Sequence, residues 1–311
     1  MKKVLLGIVG LLILCVVATG VAFLRRPFWF FERMGRMALR SAGLERVEIP
    51  GPRGRLVYFR GGVGPPVVLI HGANDQAGAW AHVAGPLVER GYHLLVVDLV
   101  GHGESEPPTG PLAMEDLLAG LEAVLQAAAL EERATLVGNS LGGFVAMSYA
   151  VSHPGQIAHV ILVNGAAISG EGPGGAVNLL PKNREQARTA IEALTDPDSP
   201  RVPDYVLDDL VRRAPGSPLD RLLQSRFSEY ALDGRLGEVN LPVTLLWGES
   251  DRLMPPAYAE RIAKGLPASR LVPVPRCGHV PQRECPERFL PLLEQALGAP
   301  PMPSDQAPPG G

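Results

Sequence analysis

Three patterns are missing from this 311-residue sequence, and each absence closes a class of function. There is no basic stripe: 29 Lys and Arg stand against 32 Asp and Glu, a net charge of −3, which argues against nucleic acid as a partner. There is no His-Glu-x-x-His, and the seven histidines show no ligand spacing, so no metal is expected. Cysteine is scarce. Cys15 lies in an apolar run and lacks a lipobox, since Leu14 rather than a small residue precedes it. Cys277 and Cys285 are read as free thiols in preference to a disulfide, because pairing in even counts belongs to small secreted domains. No internal repeat is evident.

What is present is a hydrophobic fraction of 46% on a chain long enough for one large α/β domain with an insertion. From Val4 to Leu24 run 21 residues without a charge. At ~1.5 Å per residue they can cross a ~30 Å hydrocarbon core, whereas a cleaved signal peptide has a shorter apolar region of about 7–15 residues. A single-pass N-terminal anchor in contact with membrane lipid is therefore the favoured reading, with Gly20-Val21-Ala22 as the cleavage site of the alternative. Arg25, Arg26, Phe28, Trp29, Phe30 and Phe31, then Arg33, Met34, Arg36, Met37 and Arg40, read as an interfacial belt running into a short helix on the lipid surface. Lys2 and Lys3 oppose those five arginines in the positive-inside rule, so the charges leave sidedness open.

Beyond Leu44 the pattern alternates strand and helix. A hairpin over 44–62 precedes strands at 66–70 and 92–97, with helices at 79–90 and 112–130. Thr135 to Val137 reads as a strand, and helical period begins at Leu141, so Ser140 falls on the junction. Gly138-Asn139-Ser140-Leu141-Gly142 fits the G-x-S-x-G elbow, whose glycines are needed because a Cβ two residues either side of the serine would strike neighbouring backbone. Strands at 160–163, 241–247 and 270–274 follow, and the first two are separated by about 70 residues without strand pattern. Such alternation calls for a mostly parallel sheet with its strand-end loops on one rim.

With Val67 to Ala73 ending a strand in His71-Gly72, and with Ser140, Asp251 and His279 in that order, the chain resembles the α/β-hydrolase family over about residues 45–297. Within that family it resembles the lipases and esterases with a small helical cap. The resemblance implies the α/β-hydrolase core at 44–170 and 239–297 and a helical cap at 171–238; the apolar run makes 1–43 a transmembrane anchor and juxtamembrane segment, and the Pro- and Gly-rich composition makes 298–311 a disordered tail. It implies Ser140 as nucleophile, His279 as base and Asp251 as the acid, with Glu249 the competing acid and Asn164 excluded because it carries no charge. The oxyanion hole falls to the backbone N–H groups of Ala73 and Leu141. His71 and His102 are read as structural. Cap positions including Val177, Leu179, Leu180, Val206, Leu207, Leu210, Leu222, Leu223 and Phe227 are candidates for an acyl pocket. The expected activity is cofactor-free hydrolysis of a lipophilic carboxylic ester. The alternatives are a carbon–carbon bond hydrolase of the meta-cleavage type, which Asn139 before the serine resembles, and a non-catalytic scaffold of the same fold.

Overall fold

A computed structural model describes residues 2–169 and 177–298, apart from the side chains of residues 2–11, 13, 227 and 228. The flexible run expected at 170–175, the start of the cap and all but the first residue of the expected tail lie outside that set.

Two N-terminal helices, α1 (Lys2–Arg25) and α2 (Pro27–Ser41), precede the sheet. Pro27 is at the first position of α2, where its fixed φ suits a helix start and its missing N–H removes nothing. Among the described residues no single helix is long and apolar enough to cross a membrane; Leu14–Arg25 and Pro27–Ser41 meet that test only as a pair bent by 101°. α2 is not free on its inner side. Leu39 is fully buried, the Phe28 N–H donates to Asp209 at 3.2 Å, and Gly35 lies against Gly78 so closely that a Cβ would stand 2.8 Å from its carbonyl oxygen. Its outer face leaves Trp29, Phe31, Met34 and Met37 exposed.

The sheet has eight strands: β1 (Glu45–Gly51), β2 (Gly54–Gly61), β3 (Pro66–Ile70), β4 (His93–Val97), β5 (Ala134–Asn139), β6 (Ile157–Val163), β7 (Val243–Gly248) and β8 (Ser269–Val274). Their order is β1-β2-β4-β3-β5-β6-β7-β8. The β1/β2 hairpin and the β2/β4 pair are antiparallel, and every pairing from β4 through β8 is parallel. β3 and β5 occupy the middle, and β3 and β7 are buried along their whole length because helices cover both faces.

The covering helices are α3 (Ala81–Glu89), α4 (Met114–Ala128), α5 (Leu141–Ser152), α9 (Pro256–Gly265) and α11 (Pro286–Gly298), the last preceded by the single turn α10 (Pro281–Glu284). They divide the core in two. One cluster packs α4, α5 and α9 on the face carrying Val68, Ile70, Leu136 and Leu245; the other packs α2, α3 and α11 on the face carrying Leu69, Val96, Val137 and Leu246. Between β6 and β7 come α6 (Arg184–Leu194), α7 (Asp204–Arg213) and α8 (Pro218–Leu222). Asn183 and Ser217 cap α6 and α8 with side-chain oxygens on Gln186 and Asp220 N–H, and Arg184 ties α6 to Asp204 and Asp208 of α7.

The expectation of two free thiols is overturned: Cys277 and Cys285 form a disulfide with Cα atoms 6.1 Å apart. The chain leaving β8 turns back through α10, so residues eight apart in sequence meet in the fully buried base of that turn. The rule for small secreted domains does not bear on a pair closed by one local turn. Cys15 is free and exposed.

Candidate active site

Parallel strands deliver their C-terminal ends to one rim, and each candidate residue follows such an end: Ala73 after β3, Ser140 after β5, Asp251 after β7 and His279 after β8. Ser140 has φ 52° and ψ −118°, a left-handed conformation unusual for a residue with a Cβ. Its backbone is held from several sides. The Ser140 N–H donates to Val163 O at 3.2 Å, and its carbonyl accepts from Gly143 N at 2.9 Å and Ala166 N at 3.1 Å. The neighbouring glycines are sterically required. A Cβ on Gly138 would stand 2.3 Å from Gly142 O, and one on Gly142 would stand 2.3 Å from Ile70 O.

Asp251 is buried and accepts four hydrogen bonds, which satisfies a carboxylate withdrawn from water. Its Oδ1 takes the N–H groups of Leu253 and Met254, each at 2.9 Å, in an Asx-type turn. Its Oδ2 takes Asn164 Nδ2 at 2.7 Å and His279 Nδ1 at 2.7 Å. With Nδ1 donating, Nε2 is left with its lone pair. That Nε2 is buried and has no hydrogen-bond partner among the described residues, Ser140 included. The structure thus joins Asp251 to the imidazole, and ties the histidine segment to the residue before Ser140: Asn139 Nδ2 donates to His279 O at 2.9 Å and to Val163 O at 2.8 Å. Catalytic hydrogen bonds of this kind commonly tighten only in the substrate complex. The competing acid, Glu249, is exposed and is not the group bonded to His279.

Leu141 opens α5, where no carbonyl four residues back is available to its N–H, and that helix end favours negative charge. Ala73 follows Gly72, which approaches the serine so nearly that a Cβ there would be 3.2 Å from Ser140 Cβ. Neither the Ala73 nor the Leu141 N–H is taken by another group among the described residues. Both N–H groups belong to segments that end next to Ser140, one through Gly72 and the other at the head of α5.

His71 fixes the peptide that joins Gly72 to Ala73. Leu99 N–H donates to its Nε2 at 3.1 Å, so Nδ1 carries the proton and donates to Gly72 O at 2.7 Å. Burial holds the His71 ring neutral, its pKa lowered to about 4. His102, 5.1 Å away between ring centres, is lowered to about 3 by burial and by that neighbour, and bonds Val100 O through Nδ1. Among the described residues no group of three His, Cys, Asp or Glu could hold a metal ion.

Three residues support this arrangement without having been read from the sequence in that role. Asn164, set aside for carrying no charge, positions the acid: it donates to Asp251 and accepts from Gly248 N at 3.1 Å. Asn139 fastens the histidine segment. Glu284 does the same from below, accepting from Gly278 N at 2.6 Å and from Asp196 N at 2.6 Å. The left-handed φ of 45° at Asn164 and its place directly after a strand are the signals that mark it.

Residues 67–292 match the Alpha/beta hydrolase family. Among curated proteins, a 2-hydroxy-6-oxononadienedioate/2-hydroxy-6-oxononatrienedioate hydrolase of Paraburkholderia phymatum is 29% identical over 258 residues, 75% of this chain and 86% of that protein. Among solved structures, a membrane phospholipase A described as a novel bacterial virulence factor is 26% identical, covering 96% of this chain and 100% of its own, with a TM-score of 0.71. An esterase from Rhodococcus sp. ECU1013 is 27% identical, covering 82% of this chain and 98% of its own, with a TM-score of 0.66. The match spans most of the sheet, the elbow and the histidine turn together, and the chain belongs to the alpha/beta hydrolase family.

Proposed function

We propose that this hydrolase cleaves carboxylic esters of lipophilic substrates through an acyl-enzyme on Ser140. The observation that carries the reading is the Asp251–His279 hydrogen bond, which leaves Nε2 buried without a partner among the described residues, on the rim where Ser140 follows β5. Nε2 takes the Ser140 proton as Oγ attacks the carbonyl carbon, and Asp251 stabilises the imidazolium. Ala73 and Leu141 N–H bind the oxyanion, together contributing several kcal/mol to the barrier reduction. The protonated ring then gives its proton to the leaving alcohol. Water, deprotonated by the same nitrogen, releases the acid and restores the serine.

A cleft of about 310 Å³ borders Asn74 and Asp75, with Phe28, Leu179 and Leu210 on its walls beside the charged Glu32 and Arg213, and we read its apolar part as room for a lipophilic group. Of the cap positions expected to line an acyl pocket, Leu179 and Leu210 are there; Val206, Leu207 and Leu222 are buried, and Leu223 is exposed. Val177 faces a separate recess beside Asp251, and the Phe227 side chain lies outside the described residues. We read α6 to α8 as a cap over the site. We read α1 as a membrane anchor, with the outer face of α2 in the interface. The likeness to a membrane phospholipase A, which extends over 96% of this chain, supports that placement.

Carbon–carbon bond hydrolysis is the second reading, favoured by the curated relative from Paraburkholderia phymatum. Asn139, the residue that suggested it, has its amide donors committed to two main-chain carbonyls, which gives it a structural reason to be there. A fluorophosphonate probe should label the wild type and fail to label Ser140→Ala. Short and long p-nitrophenyl esters measured beside a ring-fission dienoate then separate the two readings: higher kcat/KM for the dienoate would set the ester reading aside.

A further inference from the structure

The segment Gly72–Gln76 carries the Ala73 N–H, contains a left-handed residue at Asn74 (φ 58°), and must be held at both ends if that N–H is to keep one direction. Its upstream end is held by His71. Its downstream end is Gln76, which is 1% exposed and caps the short 3-10 turn Ala77–Trp80, its Oε1 accepting from Gly78 N at 2.8 Å. The same oxygen accepts from Arg36 Nη1 at 3.3 Å.

Arg36 belongs to α2, outside the catalytic sheet. Its guanidinium is braced on the far side by Glu104 at 3.5 Å, and Glu104 is itself bonded by Arg46 at 2.6 Å. One residue earlier, Gly35 meets Gly78 backbone to backbone: a Cβ on Gly78 would stand 2.9 Å from the Gly35 carbonyl carbon and 3.0 Å from Arg36 N. A third tie runs the other way, from Asp75 Oδ1 to Arg283 at 2.7 Å, just beyond the His279 turn.

We propose that α2 is a positioning element of the catalytic site: Arg36 through Gln76, and Gly35 through Gly78, fix the loop that aims the Ala73 N–H at the oxyanion. The inference rests on the serine-hydrolase reading above. An anchor helix that only tethered the enzyme would need apolar packing such as Leu39 supplies, and no polar bond to this loop. Here the bond ends three residues from the oxyanion donor. α2 is thereby coupled to turnover as well as to location.

The test uses the full chain in dodecyl maltoside, with p-nitrophenyl butyrate as substrate and fluorophosphonate inactivation as second readout. In Arg36→Ala and Gln76→Leu, kcat and the inactivation rate should fall together, about tenfold, with KM within twofold, because a misaimed donor weakens only the transition state. Arg36→Lys, which can still donate, should recover at least threefold of that loss. Gln76→Glu, which keeps the acceptor, should stay within threefold of wild type. Wild-type kcat in both Arg36→Ala and Gln76→Leu overturns the proposal, and so does a fall in kcat that merely tracks loss of folded protein in thermal melts without recovery in Arg36→Lys. Either result leaves the ester reading standing as long as wild-type Ser140 is labelled; an unlabelled wild type removes both.

Discussion

Asn164 Nδ2 donates to Asp251 Oδ2 at 2.7 Å, the same oxygen that receives His279 Nδ1. An amide therefore stands where a second carboxylate would repel the first, and its other end anchors Gly248 N. Removing it in Asn164→Ala leaves Asp251 with three of its four donors and its Oδ2 held by His279 alone. On a p-nitrophenyl ester kcat should drop about tenfold, against a thousandfold or more for Asp251→Asn, which donates where His279 needs an acceptor. Equal losses in the two variants would mean Asn164 does more than orient the acid.

Asn139 offers a sharper separation of folding from chemistry. Its amide bridges the end of β6 to the His279 carbonyl, so Asn139→Ala leaves two buried carbonyls without this donor, a cost of about 1–3 kcal/mol. The melting temperature should fall by several degrees, and ester turnover should fall with it as the histidine segment loosens. Unchanged stability with altered substrate choice would instead place Asn139 in specificity.

Much of the frame was legible in the primary structure because local period and turn chemistry agree with the final packing. The strand before Ser140 and the switch to helical spacing at Leu141 appear where expected. That Asp251 and His279 meet was legible because loops at parallel strand ends share a rim. The supporting residues were not, since an asparagine announces no role until its partners are known: Asn164 and Asn139 act on groups 87 and 140 residues away. α2 was legible on one side only. Its aromatic and methionine-rich outer face reads as a lipid-facing surface, while its docked side is held by Leu39, Gly35, Arg36 and the Phe28 N–H, too mixed a set to impose a periodic stripe.

The disulfide gives a direct chemical check. Alkylation of denatured, unreduced protein should modify only Cys15, and prior reduction should expose three thiols. Closing a loop this short restricts the unfolded chain by about 2–3 kcal/mol in the chain-entropy view, so Cys277→Ser with Cys285→Ser should lower the melting temperature by a few degrees. Three modified cysteines without reduction would restore the free-thiol reading.

Acid sensitivity follows from buried histidines set against one buried carboxyl. Burial lowers His71 to about 4, His102 to about 3 and His159 to about 4, from 6.5. Between pH 6.5 and those values the unfolded chain binds protons that the folded chain refuses, so stability is lost as the pH falls through that window. Burial raises Asp98 to about 6 from 3.8, despite donation from Ala77 and Glu104 N–H. The folded chain holds that proton while the unfolded chain releases it, so Asp98 gains stability as the pH falls from about 6 to 3.8 and opposes the histidines. Three groups outweigh one, and the melting temperature should decline from pH 7 to pH 4.5. His159→Gln, which keeps a partner for Thr244 and lies at the start of β6 away from the rim, should flatten that decline by roughly two fifths, more than one group's third because Asp98 cancels part of the total. A melting temperature that stays level or rises over this range would show that the histidines titrate freely in the folded chain.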